Sequence, residues 1–178
     1  MSLLVESQGV ELRESAPEAD PYRVLACSSS SGKSGSLMSD CAVKSIQFTA
    51  PPRFGGAEGR WTPEDLLLGA IASCYTTTFG ALAEYSQLKY FDLAVEVRGT
   101  LRKVERRYCF GEVAIRPRLM LVDGKEEQRA LRLLQKAAAT CMVSRLLSAE
   151  PAFEPQVQIL ESQGAAEGAG NIHSRGAV

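Results

Sequence analysis

Two cysteines in apolar segments are the residues of this sequence best suited to chemistry. Cys74 and Cys141 each lie in a stretch whose apolar residues recur at intervals of three and four, which predicts a helix. A cysteine thiolate is a nucleophile that attacks peroxides and disulfides. On the pattern alone, each residue could equally be a small buried hydrophobe, the commoner role of a free cysteine.

The other residues exclude several familiar chemistries. The remaining cysteines, Cys27, Cys41 and Cys109, are widely spaced and complete neither a C-x-x-C metal knuckle nor a disulfide framework. The only histidine is His173, in a tail rich in Gly and Ala, so the fold has no residue for a Ser-His-Asp triad, a Cys-His dyad or a His-ligated metal. We therefore expect neither a metal nor a cofactor.

Charge and hydropathy argue against nucleic acid and membrane as partners. The 20 Lys and Arg residues balance 21 Asp and Glu, which leaves a net charge of −1. The longest apolar stretch, residues 66–79, contains Ser73 and three threonines and is shorter than the roughly 20 residues that span a bilayer. The N-terminus carries acids rather than the basic start of a secretory signal, which predicts a cytoplasmic protein.

The first half of the chain predicts two short strands followed by a helix. Residues 22–27 and 43–49 have strand character, and the Ser/Gly run 28–36 between them predicts a loop or wide hairpin. Thr62-Pro63 then provides a helix cap and a proline at the first helical position, with two acids in the first turn. The helix should extend to about Ser86.

The second half predicts a long hairpin, a second helix and a last strand. Alternating residues over 92–122 indicate two antiparallel strands joined near 105–107, and Pro117 predicts an edge or a bulge. A second helix over about 126–148 and a strand over 155–160 follow. The length suits one α+β domain over residues 1–160, with a flexible tail over 161–178.

Two helices with apolar faces in a β-rich chain should pack on each other or on a common sheet, which could bring both sulfurs together. The predicted inner faces are those of the first helix (Leu67, Ala70, Ile71, Cys74, Thr78, Ala81, Tyr85) and of the second (Leu131, Leu134, Ala138, Cys141). Cys27 and Cys109 are expected in the core and Cys41 in a loop. Four aromatic residues either line an apolar pocket or form plain core: Trp61, Tyr75, Phe79 and Tyr85.

The strings around the two cysteines resemble the OsmC/Ohr family of thiol-dependent peroxidases. In GRWTPEDLLLGAIASC, Glu64 and Cys74 keep the family spacing of ten residues between a glutamate and a cysteine. In KAAATCMVSRLLS, Cys141 and Ser144 match the family sequence Cys-Pro-x-Ser, whereas Met142 replaces the proline. The order of elements extends the resemblance over about residues 20–160.

This resemblance implies an OsmC-like fold, with antiparallel sheets around two long helices in an intertwined homodimer. It implies that Cys74 attacks a peroxide, that Cys141 resolves the product as a disulfide, and that Glu64 and an arginine serve Cys74. Arg53 matches the arginine of the osmotically inducible branch, and Arg60 is its rival. The reductant would be an external dithiol, with lipoyl-type dithiols used in the family.

Other interpretations of these residues stay open. Glu64 could simply be a first-turn acid that complements the helix dipole. Ten helical residues span about 15 Å, so Glu64 and Cys74 of one helix cannot share a small site. A two-fold dimer with antiparallel first helices would bring Glu64 of one chain to Cys74 of the other. The alternative to a peroxidase is a non-catalytic OsmC-like protein that binds a small ligand or senses redox state.

Overall fold

The computed structural model describes residues 22–28 and 33–160. The chain divides into two compact units, Met1–Thr62 and Pro63–Val178. The features predicted for the N-terminal segment and for the tail over 161–178 lie outside the described residues. A single domain over residues 1–160 stays a prediction.

The N-terminal unit contains a three-stranded antiparallel sheet with the order β1-β2-β3. Its strands are β1 (Val24–Ser28), β2 (Ser34–Ser39) and β3 (Ile46–Thr49). The prediction of a loop through Ser36 is wrong, because β2 begins at Ser34. A side chain at Gly35 would meet the Cys27 carbonyl oxygen at 2.2 Å, so the small residue permits close strand pairing rather than breaking the strand.

A buried threonine fixes the loop that follows β3. The Thr49 hydroxyl accepts a hydrogen bond from the Ala57 N–H at 3.0 Å and donates to the Lys33 carbonyl at 3.2 Å. At Gly56 a Cβ atom would lie 1.6 Å from the Ala50 carbonyl oxygen, so only glycine fits. This loop carries Arg53 on a 3₁₀ turn, Pro52–Phe54.

The C-terminal unit is a helix pair packed on a four-stranded mixed sheet. Its elements are α1 (Pro63–Tyr85), β4 (Tyr90–Val104), β5 (Arg107–Leu121), α2 (Glu127–Thr140), β6 (Ala152–Phe153) and β7 (Gln156–Ile159). β5 pairs with β4 in antiparallel fashion and with β6 and β7 in parallel fashion. The α+β class and the long hairpin are confirmed.

The hydrophobic core lies between the two helices and the sheet. Its buried members include Ile71, Tyr75, Phe79 and Ala83 of α1, Ala130, Leu134 and Ala137 of α2, and Ile115, Leu119 and Leu121 of β5. The predicted inner face of α1 is therefore wrong, since Leu67 is 38% exposed and Tyr85 90% exposed. Cys27 and Cys109 are also exposed, contrary to prediction, whereas Cys41 lies in a turn as expected.

The α1 helix is apolar over most of its length. Its 23 residues are long and apolar enough to cross a bilayer by length and composition alone. The argument that the longest apolar stretch is too short to span a bilayer therefore does not hold for the whole helix. Core helices of globular proteins pass the same test. Among the described residues, only 22% of its most apolar 18-residue window is buried, so apolar side chains of this helix are exposed in the part of the chain that the structure describes.

Pro117 is placed in a central strand rather than at an edge. Its register partner across the hairpin is Val95, and the two register irregularities between β4 and β5 fall elsewhere. On the other side of β5, β6 pairs as far as Ile115 and β7 begins pairing at Arg118. The proline occupies the interval between two short strands, where the ladder needs no N–H donor.

Candidate active site

The first cysteine is positioned by a well-marked helix. α1 begins at Pro63 with Glu64 and Asp65 in its first turn, as predicted from the sequence. Cys74 lies near the middle of this helix and packs against the buried core. Its thiol is partly buried, so small molecules can reach it from solvent.

The second cysteine lies just beyond a helix rather than inside it. α2 ends at Thr140, so the predicted extension to Ser148 is wrong. Cys141 caps the helix with an extended backbone (φ −62°, ψ 112°), and the Ser144 hydroxyl donates to its carbonyl oxygen at 3.1 Å. This local hydrogen bond competes with continued helix formation, and a 3₁₀ turn over Ser144–Leu146 follows.

Cys141 lies near enough to Cys74 to affect the pKa of the Cys74 thiol. Burial raises the pKa of the Cys74 thiol, but hydrogen bonds to its sulfur outweigh burial and hold the pKa below the ordinary value of 9.0. The donors are the Val143 N–H, the Cys141 thiol, the Met142 N–H and the Thr78 hydroxyl. Cys141 itself is fully buried. The site thus combines a partly exposed thiol of lowered pKa with a second thiol that is fully buried.

Thr78 is distinguished from the other threonines of its run by its hydrogen bond. Thr76 donates to the Ala72 carbonyl at 2.9 Å and Thr77 to the Ser73 carbonyl at 3.0 Å, the usual helix pattern. The Thr78 hydroxyl, one turn after Cys74, is instead one of the groups that lower the pKa of the Cys74 thiol. Sequence reasoning gave Thr78 only a packing role, although its spacing of four residues from Cys74 was a usable signal.

A hydrogen bond from a buried tyrosine joins α1 to α2. Tyr75, next to Cys74, donates from its hydroxyl to the Leu134 carbonyl of α2 at 3.0 Å. Burial raises the pKa of Tyr75 far above its ordinary value, and negative charge on Cys141 would raise it further. Tyr75 is therefore neutral and acts as a fixed strut between the helices.

Glu64 has a buried carboxylate oxygen that lacks a hydrogen bond. Among the described side chains, its Oε2 is the one buried oxygen or nitrogen for which no partner is found. Glu64 and Cys74 lie ten residues apart on the straight α1 helix, or about 15 Å. The structure does not join them within one chain, and the role of Glu64 stays a prediction.

The two candidate arginines lie in the N-terminal unit. Arg53 is exposed on its 3₁₀ turn, with the guanidinium carbon 4.7 Å from the centre of the Phe54 ring. Arg60 is exposed after the left-handed Gly59. Which of the two arginines serves Cys74 stays a prediction.

Of the two alternatives for the four aromatic residues, plain core is confirmed for Tyr75 and Phe79, which are fully buried. Neither alternative describes Trp61, which is 54% exposed, or Tyr85, which is 90% exposed. Among the described residues, no group of three His, Cys, Asp or Glu side chains could hold a metal ion.

Together the fold and the paired thiols define a dithiol protein of the α+β class. The sequence matches the family model described as OsmC-like protein over residues 55–156, which is more than half of the chain, and the protein belongs to this family. Uncharacterized protein YmaD of Bacillus subtilis (strain 168) is 31% identical over 116 residues, which cover 64% of this chain and 76% of YmaD.

Solved structures show the same fold. An organic hydroperoxide resistance protein OsmC from Legionella pneumophila matches with a TM-score of 0.62 and 18% identity, over 79% of this chain and 98% of that one. The organic hydroperoxide resistance protein OhrB of Bacillus subtilis matches with a TM-score of 0.58 and 19% identity, over 78% and 98%. The family fits a role in the response to peroxide or redox stress.

Proposed function

We propose that this protein is a thiol-dependent peroxidase that reduces organic hydroperoxides or hydrogen peroxide. The observation that supports it is that Cys74 is partly exposed and has a lowered pKa, with the buried Cys141 among the groups that lower it. A lowered pKa raises the thiolate fraction at neutral pH, and only the thiolate attacks peroxide. Cys141, which is fully buried, is the proposed partner of the oxidised sulfur.

In the first step the Cys74 thiolate attacks one peroxide oxygen. The O–O bond breaks and an S–O bond forms, so the sulfur is oxidised to a sulfenic acid and the peroxide is reduced. The departing alkoxide or hydroxide takes a proton and leaves as an alcohol or water. The donors around the Cys74 sulfur hold the nucleophile before the attack.

In the second step the Cys141 thiol condenses with the sulfenic acid. A disulfide forms between the two cysteines and water leaves. An external dithiol then returns both cysteines to thiols by two exchange steps and is itself oxidised to a disulfide. A lipoyl-type dithiol is the proposed reductant.

Single-cysteine variants test this assignment. Cys74→Ser should abolish consumption of cumene hydroperoxide and hydrogen peroxide with a dithiol reductant. Cys141→Ser should keep the first attack and accumulate sulfenic acid on Cys74, which mass spectrometry detects after one equivalent of peroxide. Cys109→Ser, at an exposed site in the same unit, is the matched control. Activity retained in Cys74→Ser would refute the proposal.

Arg53 is proposed as the cation that serves the Cys74 thiolate and the leaving oxygen. A guanidinium offers several donors in one plane, so Lys should replace it only in part. Arg53→Ala should slow peroxide turnover about tenfold to a hundredfold, by analogy with charged hydrogen bonds. Arg60→Ala is the comparison variant. A loss confined to Arg60→Ala would transfer the role to Arg60.

We also propose that a second copy of this chain packs against α1. The uncovered apolar face of this helix includes Leu67 and Tyr85, and the buried Glu64 oxygen lacks a partner within the described chain. Antiparallel packing of two α1 helices would cover that face and bring Glu64 towards the partner's Cys74.

Light scattering and thermal unfolding test the dimer. The mass should be twice 19.2 kDa, and the melting temperature should rise with protein concentration. Leu67→Glu places a charge in the proposed interface and should give monomers, whereas the same change at Met38, exposed in the N-terminal unit, is the control. A monomeric parent at micromolar concentration would contradict this arrangement.

A further inference from the structure

The end of the β4–β5 hairpin extends beyond the hydrophobic core of the C-terminal unit. The core contacts of the two strands extend to Val97 and Val113, and Gly99 lies against Leu68 of α1. Among the described residues, no apolar side chain from 100 to 112 belongs to the core or packs against it. The last pair of the hairpin lies seven residues beyond Val97 along β4, or about 23 Å.

This end of the hairpin carries an excess of positive charge. Residues 102–112 contain four cations and two acids, a net charge of +2, whereas the whole chain carries −1. Arg102 and Glu112 form an ion pair at 2.7 Å. The other three cations are exposed and form no ion pair with any described residue: Lys103, Arg106 and Arg107.

The turn keeps charged side chains in a backbone conformation that favours glycine. Val104 pairs with Arg107, which leaves Glu105 and Arg106 as a two-residue turn. Both have a left-handed backbone, with φ of 46° and 70°. Turns of this kind are usually built from Asn-Gly or Asp-Gly, because glycine adopts a positive φ without steric cost. A strained position that holds an arginine points to a role for the arginine side chain.

Apolar side chains lie beside these cations. Val104 is 54% exposed and Tyr108 is 51% exposed. The Lys103 ammonium nitrogen lies 5.8 Å from the centre of the Tyr108 ring. Exposed cations next to an exposed tyrosine and an exposed aliphatic side chain suit the interface of an anionic bilayer, where charge attracts the headgroups and apolar groups leave water.

We propose that the end of the β4–β5 hairpin, residues 102–108, docks on the surface of an anionic lipid bilayer. Its unpaired cations face the headgroups, and Val104 and Tyr108 enter the interface. The net charge of −1 argues against an anionic partner for the chain as a whole, but not for this end. Charges at the core end of the hairpin lie more than two Debye lengths away, since that length is about 8 Å at physiological ionic strength. The inference is independent of the peroxidase chemistry, because docking needs neither cysteine.

Vesicle sedimentation with the full chain tests the docking. The chain should bind vesicles of phosphatidylcholine and phosphatidylserine in equal parts, and not vesicles of phosphatidylcholine alone. Binding should fall steeply between about 0.15 M and about 1 M salt, because the Debye length shortens from about 8 Å to about 3 Å. A chain that binds no vesicles, or binds both kinds equally, would overturn the proposal.

Paired charge variants locate the docking surface. Lys103→Gln with Arg107→Gln removes two cations without changing the turn residues, and each cation contributes about fivefold, so binding should weaken about thirtyfold. The matched control is Arg132→Gln with Lys136→Gln, which removes two exposed cations of α2 in the same unit and should bind like the parent. Equal binding of the two double variants would refute the assignment to the hairpin. If circular dichroism shows that the hairpin double variant does not fold, Arg106→Gln in the exposed turn gives the same test with a loss of about fivefold.

A last comparison separates a bilayer from nucleic acid, the other polyanion that would attract these cations. Val104→Ser should weaken binding to the anionic vesicles severalfold, because an apolar side chain no longer enters the interface. Tighter binding of the parent to a DNA duplex than to the anionic vesicles at the same salt concentration would overturn the proposal and assign the cations to nucleic acid. Equal vesicle binding of Val104→Ser and the parent would refute the apolar part of the contact.

Discussion

Removing the hydroxyl of Tyr75 should weaken the strut between the helices by a predictable amount. The Tyr75→Phe variant deletes one buried, neutral hydrogen bond of 3.0 Å to the Leu134 carbonyl. Leu134 lies inside α2, where its carbonyl keeps its helical partner, so no buried acceptor is orphaned. The expected loss in free energy of unfolding is therefore about 1 kcal/mol, within the usual range of 0.5–1.5.

Thermal and chemical unfolding measure this loss. For a chain of this size, about 1 kcal/mol corresponds to a decrease in melting temperature of about 2–4 °C. The matched control is Tyr85→Phe, which removes the same hydroxyl from a tyrosine of the same helix that is 90% exposed. That variant should unfold like the parent.

Tyr75→Phe should also change how well the two sulfurs meet. Disulfide formation after one equivalent of peroxide, followed by mass spectrometry, should slow modestly because the distance between α1 and α2 is less tightly fixed. Equal stability of Tyr75→Phe and the parent would refute the strut. A loss above about 3 kcal/mol would also refute the reasoning, since it would exceed a single neutral hydrogen bond.

Three further predictions concern the sulfurs. Thr78→Val should slow Cys74 alkylation at neutral pH several-fold, whereas the control Thr77→Val should not change it. Equal alkylation rates in the two variants would exclude Thr78 as a group that lowers the pKa of Cys74. Because the pKa of Cys74 is lower in the folded protein than in the unfolded chain, the unfolded chain binds more protons between the two values. The free energy of unfolding of the reduced protein should therefore rise with pH across that window up to about pH 9, in urea titrations, and Cys74→Ser should lose this rise. Since Cys141 is fully buried and Cys74 is not, a small external thiol should attack Cys74 in the disulfide; a mixed disulfide trapped first on Cys141 would contradict this order.

The start of α1 and the long hairpin were predictable because their signals are local. Thr62-Pro63 with two following acids marks a helix start through capping and the helix dipole, and α1 begins at Pro63. Strict alternation over the hairpin fixes which residues face the core, since one residue of slippage would reverse both faces. Such signals depend only on neighbours in sequence.

The errors arose where tertiary contacts outweigh local preference. Gly35 lies in a strand because its close pairing with β1 leaves no room for a side chain, which a glycine among serines does not indicate by itself. The end of α2 coincides with the Ser144 hydroxyl donating to the Cys141 carbonyl oxygen, a contact that helical periodicity does not reveal. Apolar residues are spread evenly around α1, so the sequence alone does not show which face of the helix is buried. The predicted inner face therefore included Leu67 and Tyr85, which are exposed.

The candidate site was predictable as residue types but not as an arrangement of donors. The family resemblance named Cys74 and Cys141, and helix packing made their proximity reasonable.

If Cys74 is oxidised to a sulfenic acid, condensation with Cys141 and further oxidation by peroxide would compete for it. A sulfenic acid on Cys74 would meet the Cys141 thiol inside the protein at an effective concentration far above that of any dissolved thiol. A second peroxide molecule, which would drive Cys74 to the irreversible sulfinic acid, has to arrive by diffusion before that condensation. In the proposed peroxidase, a nearby Cys141 would therefore protect Cys74 from over-oxidation at high peroxide concentrations, and a more distant second thiol would give up that protection.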